Sequence, residues 1–225
     1  MLTVASLTQL LALLLAGLLN GDARQWKWDF EKDVLGENPA GFTFDTTRDA
    51  PAGKWEIVED AGKHVLAQLD DKREKWRFAV AVVKDASLKN VKLSVRIKAI
   101  EGQLDQGGGL VWRYRDSENY LVARLDVTDG DVRLFRVSEG NTTPFGIKED
   151  VKLKSGQWYT LRVEHKGCDI KVYLDEDIVI MKHEKHFDRP GKIGLWTKAD
   201  SVMHFDDLQA RPLESDDDKD GNEDE

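Results

Sequence analysis

Little in this chain can be cross-linked. Cys168 is its one cysteine, which excludes an internal disulfide and argues against a zinc site built from cysteines. An excess of positive charge is also missing. The formal charge is −9, but the twelve residues Glu214–Glu225 hold eight acids and one lysine and so carry −7 of it. The remainder is close to balance, which argues against a nucleic-acid partner. After the N-terminal run no segment is apolar for long enough to span a bilayer. No segment sustains the 3.6-residue apolar period of a helix. The strand motif E-x-D-x-(x)-E, whose alternation sets paired carboxylates on one sheet face, is absent as well. Glu31-Lys32-Asp33 and Glu214-Ser215-Asp216 begin it and neither completes it. Retaining glycoside hydrolysis by two carboxylates of one strand is therefore disfavoured.

What is present is a leader, a β-rich body and an acidic tail. Leu2 to Leu19 is an apolar run, and Gly21 and Ala23 place small residues at −3 and −1 of a cleavage after Ala23. Residues 1–23 read as a signal peptide, and the protein as secreted, periplasmic or in the cell envelope. The run has no basic residue before it, so an uncleaved anchor is the alternative. Residues 214–225, an acidic stretch without apolar side chains, read as a disordered tail. Asp216–Gly221 matches the first half of a calcium loop, but the chain ends before the closing Glu.

Between them, residues 24–213 read as about a dozen short strands with polar turns. Val91 to Ala99 alternates strictly, putting Val91, Leu93, Val95, Ile97 and Ala99 on one buried face. Asp129-Gly130 is a favoured hairpin dipeptide, Gly140 to Pro144 reads as a loop, and Met181 to His186 as a charged turn. The expected architecture is an all-β, two-sheet jelly-roll sandwich.

The centre of interest is Gly107 to Asp126, GGGLVWRYRDSENYLVARLD. Two apolar runs flank a polar turn, so the stretch reads as a hairpin. Its three glycines suggest a strand start, a bulge or a close approach of backbones. Alternation sends Leu121, Ala123 and Leu125 into the core and Tyr120, Val122, Arg124 and Asp126 to the opposite face. From the first strand, one register adds Arg113 to that face and the other adds Trp112 and Tyr114.

Four segments carry a family resemblance: Gly107–Asp126, Val132–Val137, Trp158–Val163, and Gly191–Ser201 running into Phe205–Leu208. Over roughly Trp26 to Pro212 the chain resembles the 3-keto-disaccharide hydrolase domain family, in a short secreted subgroup. The resemblance implies the concanavalin A-like, LamG-like jelly roll and a carbohydrate or oxidised glycoside as partner. It also implies cleavage of 3-keto-glycosides, in which a base removes the C2 proton and a cation or metal stabilises the oxyanion. Asp126 or Glu118 would be the base and Arg124 or Arg113 the cation, with Trp112, Tyr114 and Tyr120 against the sugar. The alternatives are a non-catalytic carbohydrate-binding module, and arginines serving only in structural ion pairs. Similar jelly rolls clip their termini with structural calcium, which here points to Asp206 and Asp207 with Asp29 or Glu31; solvated acids are the competing reading. His183 and His186 have the spacing of a helical metal pair but lie in a turn without an evident third ligand. Asn141-Thr142-Thr143 is a formal glycosylation acceptor.

Overall fold

The computed structural model describes residues 24–47 and 50–214, and all its regular elements are strands. The expected leader, and the tail beyond Glu214, lie outside the described residues. In chain order the strands are β1 (Trp26–Trp28), β2 (Phe42–Thr47), β3 (Trp55–Asp60), β4 (Lys63–Gln68), β5 (Phe78–Leu88), β6 (Val91–Glu101), β7 (Gly107–Asp116) and β8 (Asn119–Asp126). They continue with β9 (Asp131–Ser138), β10 (Asn141–Lys148), β11 (Trp158–Lys166), β12 (Asp169–Leu174), β13 (Asp177–His183), β14 (Gly191–Lys198) and β15 (Val202–Pro212).

Two antiparallel sheets form the jelly-roll sandwich. One runs β13-β12-β11-β6-β15-β4-β3, with β1 added alongside β15. The other runs β10-β9-β8-β7-β14-β5-β2. Strand alternation builds the core between them. Val91, Leu93, Val95, Ile97 and Ala99 of β6 are all buried there, facing Leu110 and Trp112 of β7 and Leu121, Ala123 and Leu125 of β8. The second sheet also buries much of its other face. Phe78, Val80, Val82, Val111, Tyr114, Tyr120, Val122, Val137 and Trp196 form a separate apolar cluster there. That face carries the candidate site.

Two segments differ from the sequence expectation. Asn141–Lys148 is a strand, not a loop, although it contains Pro144. It is a sheet edge, and the ladder shifts register between Pro144 and Gly146, so the missing N–H of proline is tolerated. Asp177–His183 is the opposite sheet's edge strand, so the charged turn starts at Glu184, three residues later than Met181.

The glycine triplet is explained by close approach. A Cβ on Gly109 would lie 1.9 Å from the Ala123 carbonyl oxygen of β8, and one on Gly107 would lie 2.6 Å from Asp126 Oδ2. Gly108 faces the core, where a Cβ would meet Met203 at 2.8 Å. Gly109→Ala therefore forces backbone against backbone. A loss of about 1–3 kcal/mol, the usual cost of overpacking, is expected. It would be read as a fall in melting temperature of roughly 2–4 °C per kcal/mol, and an unchanged melting curve would contradict the close approach.

Candidate functional site

Gly109 pairs with Arg124, and Arg124 with Arg133. Opposite Arg124 there is thus a residue without a side chain, and its guanidinium has room to lie over the sheet. It is 1% exposed. Nη1 donates to Asp126 Oδ2 at 2.5 Å, and Nη2 donates to Asp131 Oδ1 at 2.8 Å and to Asp129 Oδ2 at 3.1 Å. Asp105 stands 4.0 Å from Nη1 and is itself held by Lys198 Nζ at 2.5 Å. Asp131 Oδ2 accepts from Arg133 Nε at 2.6 Å. Four carboxylates thus face three cations.

Asp126 is spent on structure. Its Oδ1 accepts the backbone N–H groups of Thr128 and Asp129 at 2.9 and 3.2 Å, closing the turn from β8 to β9, while Oδ2 faces Arg124. Burial raises its proton affinity above the ordinary carboxylate range, against the pull of Arg124 and the Asp129 N–H. Asp129 is more open. Burial raises its pKa too, but the bond and charge of Arg124 outweigh burial and hold the carboxyl below its usual range.

Beside this cluster lies a cavity of about 210 Å³. It is lined by the polar side chains of Arg124, Asp129, Arg133, Thr142 and Lys198 and by the aromatic rings of Trp76, Phe78, Phe135 and Trp196. Phe78 and Trp196 stack with centroids 5.5 Å apart, and Arg124 Cζ sits 5.6 Å over the Phe135 ring. Trp76 is 58% exposed and stands at the rim. Two polar atoms of these residues, Arg124 Nε and Thr142 Oγ1, are buried away from any accessible surface with no hydrogen-bond partner among the described residues.

Two loops bring the rim together. Arg77, beside Trp76, donates from Nε and Nη2 to the Ala199 carbonyl at 3.1 and 2.6 Å, and pairs through Nη1 with Asp70 at 2.6 Å. The Asp200 carboxylate accepts the N–H groups of Gln103, Leu104 and Asp105 at 2.8–3.1 Å. Burial raises the Asp200 pKa, but these backbone donors together hold it below the carboxylate norm. The loop carrying Asp105 and the segment carrying Trp76 are thereby tied to the end of β14.

The residues expected from the sequence divide. Tyr120, Val122, Arg124 and Asp126 do share the face opposite the core. Tyr114 joins them, its ring stacked on Tyr120 at 5.6 Å. Both tyrosines are buried. Tyr120 O–H shares a 2.5 Å hydrogen bond with Thr47 Oγ1 and accepts from Trp196 Nε1 at 3.3 Å, and Tyr114 O–H donates to Asp45 Oδ2 at 2.9 Å. Burial chiefly pushes the Tyr120 phenol up to about 12.

Trp112 and Arg113 are placed differently from either expected register. The β7–β8 ladder breaks between Trp112 and Asp116, and Arg113 adopts φ 49° in that bulge. The bulge lets Trp112 point into the core and Tyr114 still point outward. Trp112 Nε1 donates to His165 Nδ1 at 2.9 Å between the sheets. Arg113 is fully buried and donates to the carbonyls of Lys89 and Gly167 at 2.9–3.2 Å, clamping two turns. Its burial pushes the pKa down to about 10. Glu118 lies in the turn at the far end of the hairpin from Asp126.

Three of the acids expected to hold calcium are matched with cations, and the fourth, Glu31, accepts the His64 backbone N–H at 3.4 Å. Arg96 reaches Asp206 at 3.3 Å, and Lys27 reaches Asp207 at 3.3 Å and Asp29 at 3.5 Å. A different acidic group does converge, with oxygens of Asp105, Asp126 and Asp129 within 4.8 Å of one another. Arg124 and Lys198 already supply positive charge there. His183 pairs with Asp169 at 2.8 Å, whereas His186 faces Glu184 and Arg136, so the two histidines serve different partners.

No protein-family profile matches the sequence, and no curated protein is similar to it. Solved structures are. The carbohydrate-binding module CBM66 from Bacillus subtilis superposes with a TM-score of 0.62 at 21% identity, over 76% of this chain and 95% of its own. A protein of unknown function with a galectin-like fold, also from Bacillus subtilis, gives 0.58 at 10% identity, over 83% and 94%. The exoplasmic domain of VIP36, bound to Ca²⁺ and Man3GlcNAc, gives 0.58 at 12% identity, over 84% and 91%. The likeness is one of fold.

The sequence reading did not include Trp76, Phe78, Phe135, Thr142, Trp196 and Lys198 in the site. Part of the signal was local. Once Arg124 faces outward, the tight turn at Asp129-Gly130 carries that face onto Arg133 and Phe135 of β9. The long-range partners Trp76, Asp105 and Lys198 left no such periodic trace.

Proposed function

We propose that the cavity rimmed by Trp76 binds a carbohydrate and does not turn it over. The observation that carries this reading is a cavity in which the aromatic rings of Trp76, Phe78, Phe135 and Trp196 stand beside the part-exposed polar side chains of Asp129, Arg133 and Lys198. Sugar rings offer apolar C–H faces to aromatic rings and hydroxyls to lone donors and acceptors, and small-molecule pockets combine these two kinds of lining. The names of similar folds, a carbohydrate-binding module and a mannose-glycan-bound lumenal domain, support the same class of ligand.

Cleavage of 3-keto-glycosides is the second reading. In its favour, Asp126, with raised proton affinity, lies beside the Arg124 cation, the pairing of base and oxyanion stabiliser that such an elimination needs. Against it, both Asp126 oxygens are engaged and the residue is fully buried, so a substrate proton has no approach. Incubation with 3-keto-glucosides separates the two: binding without turnover is expected, and release of the aglycone would reinstate the hydrolase.

Trp76→Ala is the test of the site. Trp76 is mostly exposed, so the melting temperature should hold while affinity for a bound sugar in calorimetry falls at least tenfold, about 1.4 kcal/mol. Equal affinity in the variant would remove the cavity from the reading. Calcium is addressed by unfolding with and without chelator. A calcium ion at Asp105, Asp126 and Asp129 would compete with Arg124, so an indifferent midpoint is expected and a chelator-sensitive one would establish the ion. Export, with a mature chain beginning near Arg24, belongs to this same reading, and mass spectrometry of secreted material measures it.

A further inference from the structure

We infer that the cavity takes a single uncharged sugar ring at the end of a glycan, not the interior of a chain; this rests on the carbohydrate reading above. Three observations lead there. The first is size. About 210 Å³ lies below the roughly 300–1,000 Å³ of pockets that hold drug-sized ligands, and equals the share of about seven waters. That is room for one ring.

The second is that the rest of the face is filled by the protein itself. A glycan chain lying across the sheet would have to pass from Arg124 on β8 over β7, β14 and β5 towards β2. Tyr114 and Tyr120 occupy that route, stacked on each other. Their hydroxyls are engaged by Asp45, Thr47 and Trp196, and Val80, Val82, Val111 and Val122 are buried with them. The tyrosines therefore act as a plug in the groove. On the opposite side, β10 ends the sheet, and its Thr142 stands in the cavity wall.

The third is charge. Each cation of the lining already holds a carboxylate: Arg124 holds Asp126 and Asp131, Arg133 holds Asp131, and Lys198 holds Asp105. With four acids to three cations, a further carboxylate or sulfate on the ligand would be repelled. Polar recognition falls instead to the part-exposed Asp129, Arg133 and Lys198, whose remaining lone pairs and N–H groups suit neutral hydroxyls.

The test uses the full exported chain and calorimetry. The probes are methyl glycosides of glucose, mannose, galactose and fructose, the corresponding homo-oligosaccharides of two to six rings, and the matching uronic acids. For the sugar type that binds, affinity per molecule should stay within twofold from one ring to six, and the uronic acid should bind at least tenfold more weakly. Trp76→Ala should abolish binding of the one-ring and six-ring probes alike. Affinity rising tenfold or more up to three or four rings would overturn the end-on inference and leave the carbohydrate reading standing. Uronic acids binding as tightly as neutral sugars would overturn the charge argument. Absence of binding by every probe would overturn both readings together.

Discussion

Arg124→Ala should cost about 3–5 kcal/mol of folding stability, the range for removing one partner of a buried ion group. The substitution would leave Asp126 and Asp131 buried, with their Arg124 partner gone. Asp131 would retain Arg133, and Asp126 only backbone N–H groups. Against a total stability of roughly 5–15 kcal/mol, such a loss is large. The measurement is the urea midpoint at constant slope. Arg124→Lys should recover only part of it, because a single ammonium cannot reproduce a planar fork that reaches Asp126, Asp129 and Asp131 together. The deficit should also shrink on acidification. Carboxyls deprived of their cation have raised pKa values in the folded state, so the variant gains stability relative to the native chain as they protonate. A midpoint within error of the native one would mean that the acids are solvated and the network contributes nothing. Arg124→Ala therefore reports on folding, and Trp76→Ala is the cleaner probe of binding.

Acidification of the native protein from pH 7.5 to 4 should cost about 3 kcal/mol through His165 alone. This side chain lies in the core, with Nδ1 accepting the Trp112 indole N–H. Its Nε2 is buried without a partner among the described residues. Burial, and then the nearby Arg113 charge, push its pKa from 6.5 down to about 3. The sign follows. The folded state keeps the imidazole neutral while the unfolded chain protonates it below 6.5, so stability falls as pH drops from about 6.5 towards 3. His204 is also lowered, chiefly by burial against the opposing pull of Asp60, and contributes in the same direction. The carboxylates held below their usual range, Asp60, Asp70, Asp129, Glu164 and Asp200, lose their contribution only at lower pH. His165→Gln keeps an acceptor for Trp112 and removes the titration. Between pH 6.5 and 4.5 its unfolding free energy should decline less steeply than that of the native chain. Parallel curves would show that the folded protein admits the imidazolium.

Features that depend on neighbours in the chain were legible in the residues, apart from the edge strands β10 and β13. Strand alternation is local, so the buried row of β6 and the two faces of β8 follow from residue identity alone. So did the fold class, because a chain of short amphipathic strands without helical periodicity must bury two sheets against each other. The placement of Arg124 and Asp126 on the outer face belongs to the same level. The tertiary structure decided what these residues do. A bulge at Arg113 shifts the strand's phase, sending Trp112 into the core and Tyr114 outward. It depends on packing against Gly191, where a Cβ would lie 2.3 Å from the Arg113 carbonyl carbon. Tyr114 and Tyr120, which look like ligand contacts in the sequence, are consumed by Asp45, Thr47 and Trp196 from two other strands. Arg124 proves to be a buried hub because Asp105 arrives from a loop caged by Asp200, while Trp76 reaches the rim through Arg77 and Ala199. Such contacts join residues up to 122 positions apart, and their energy depends on distances and burial that no local pattern of residues encodes.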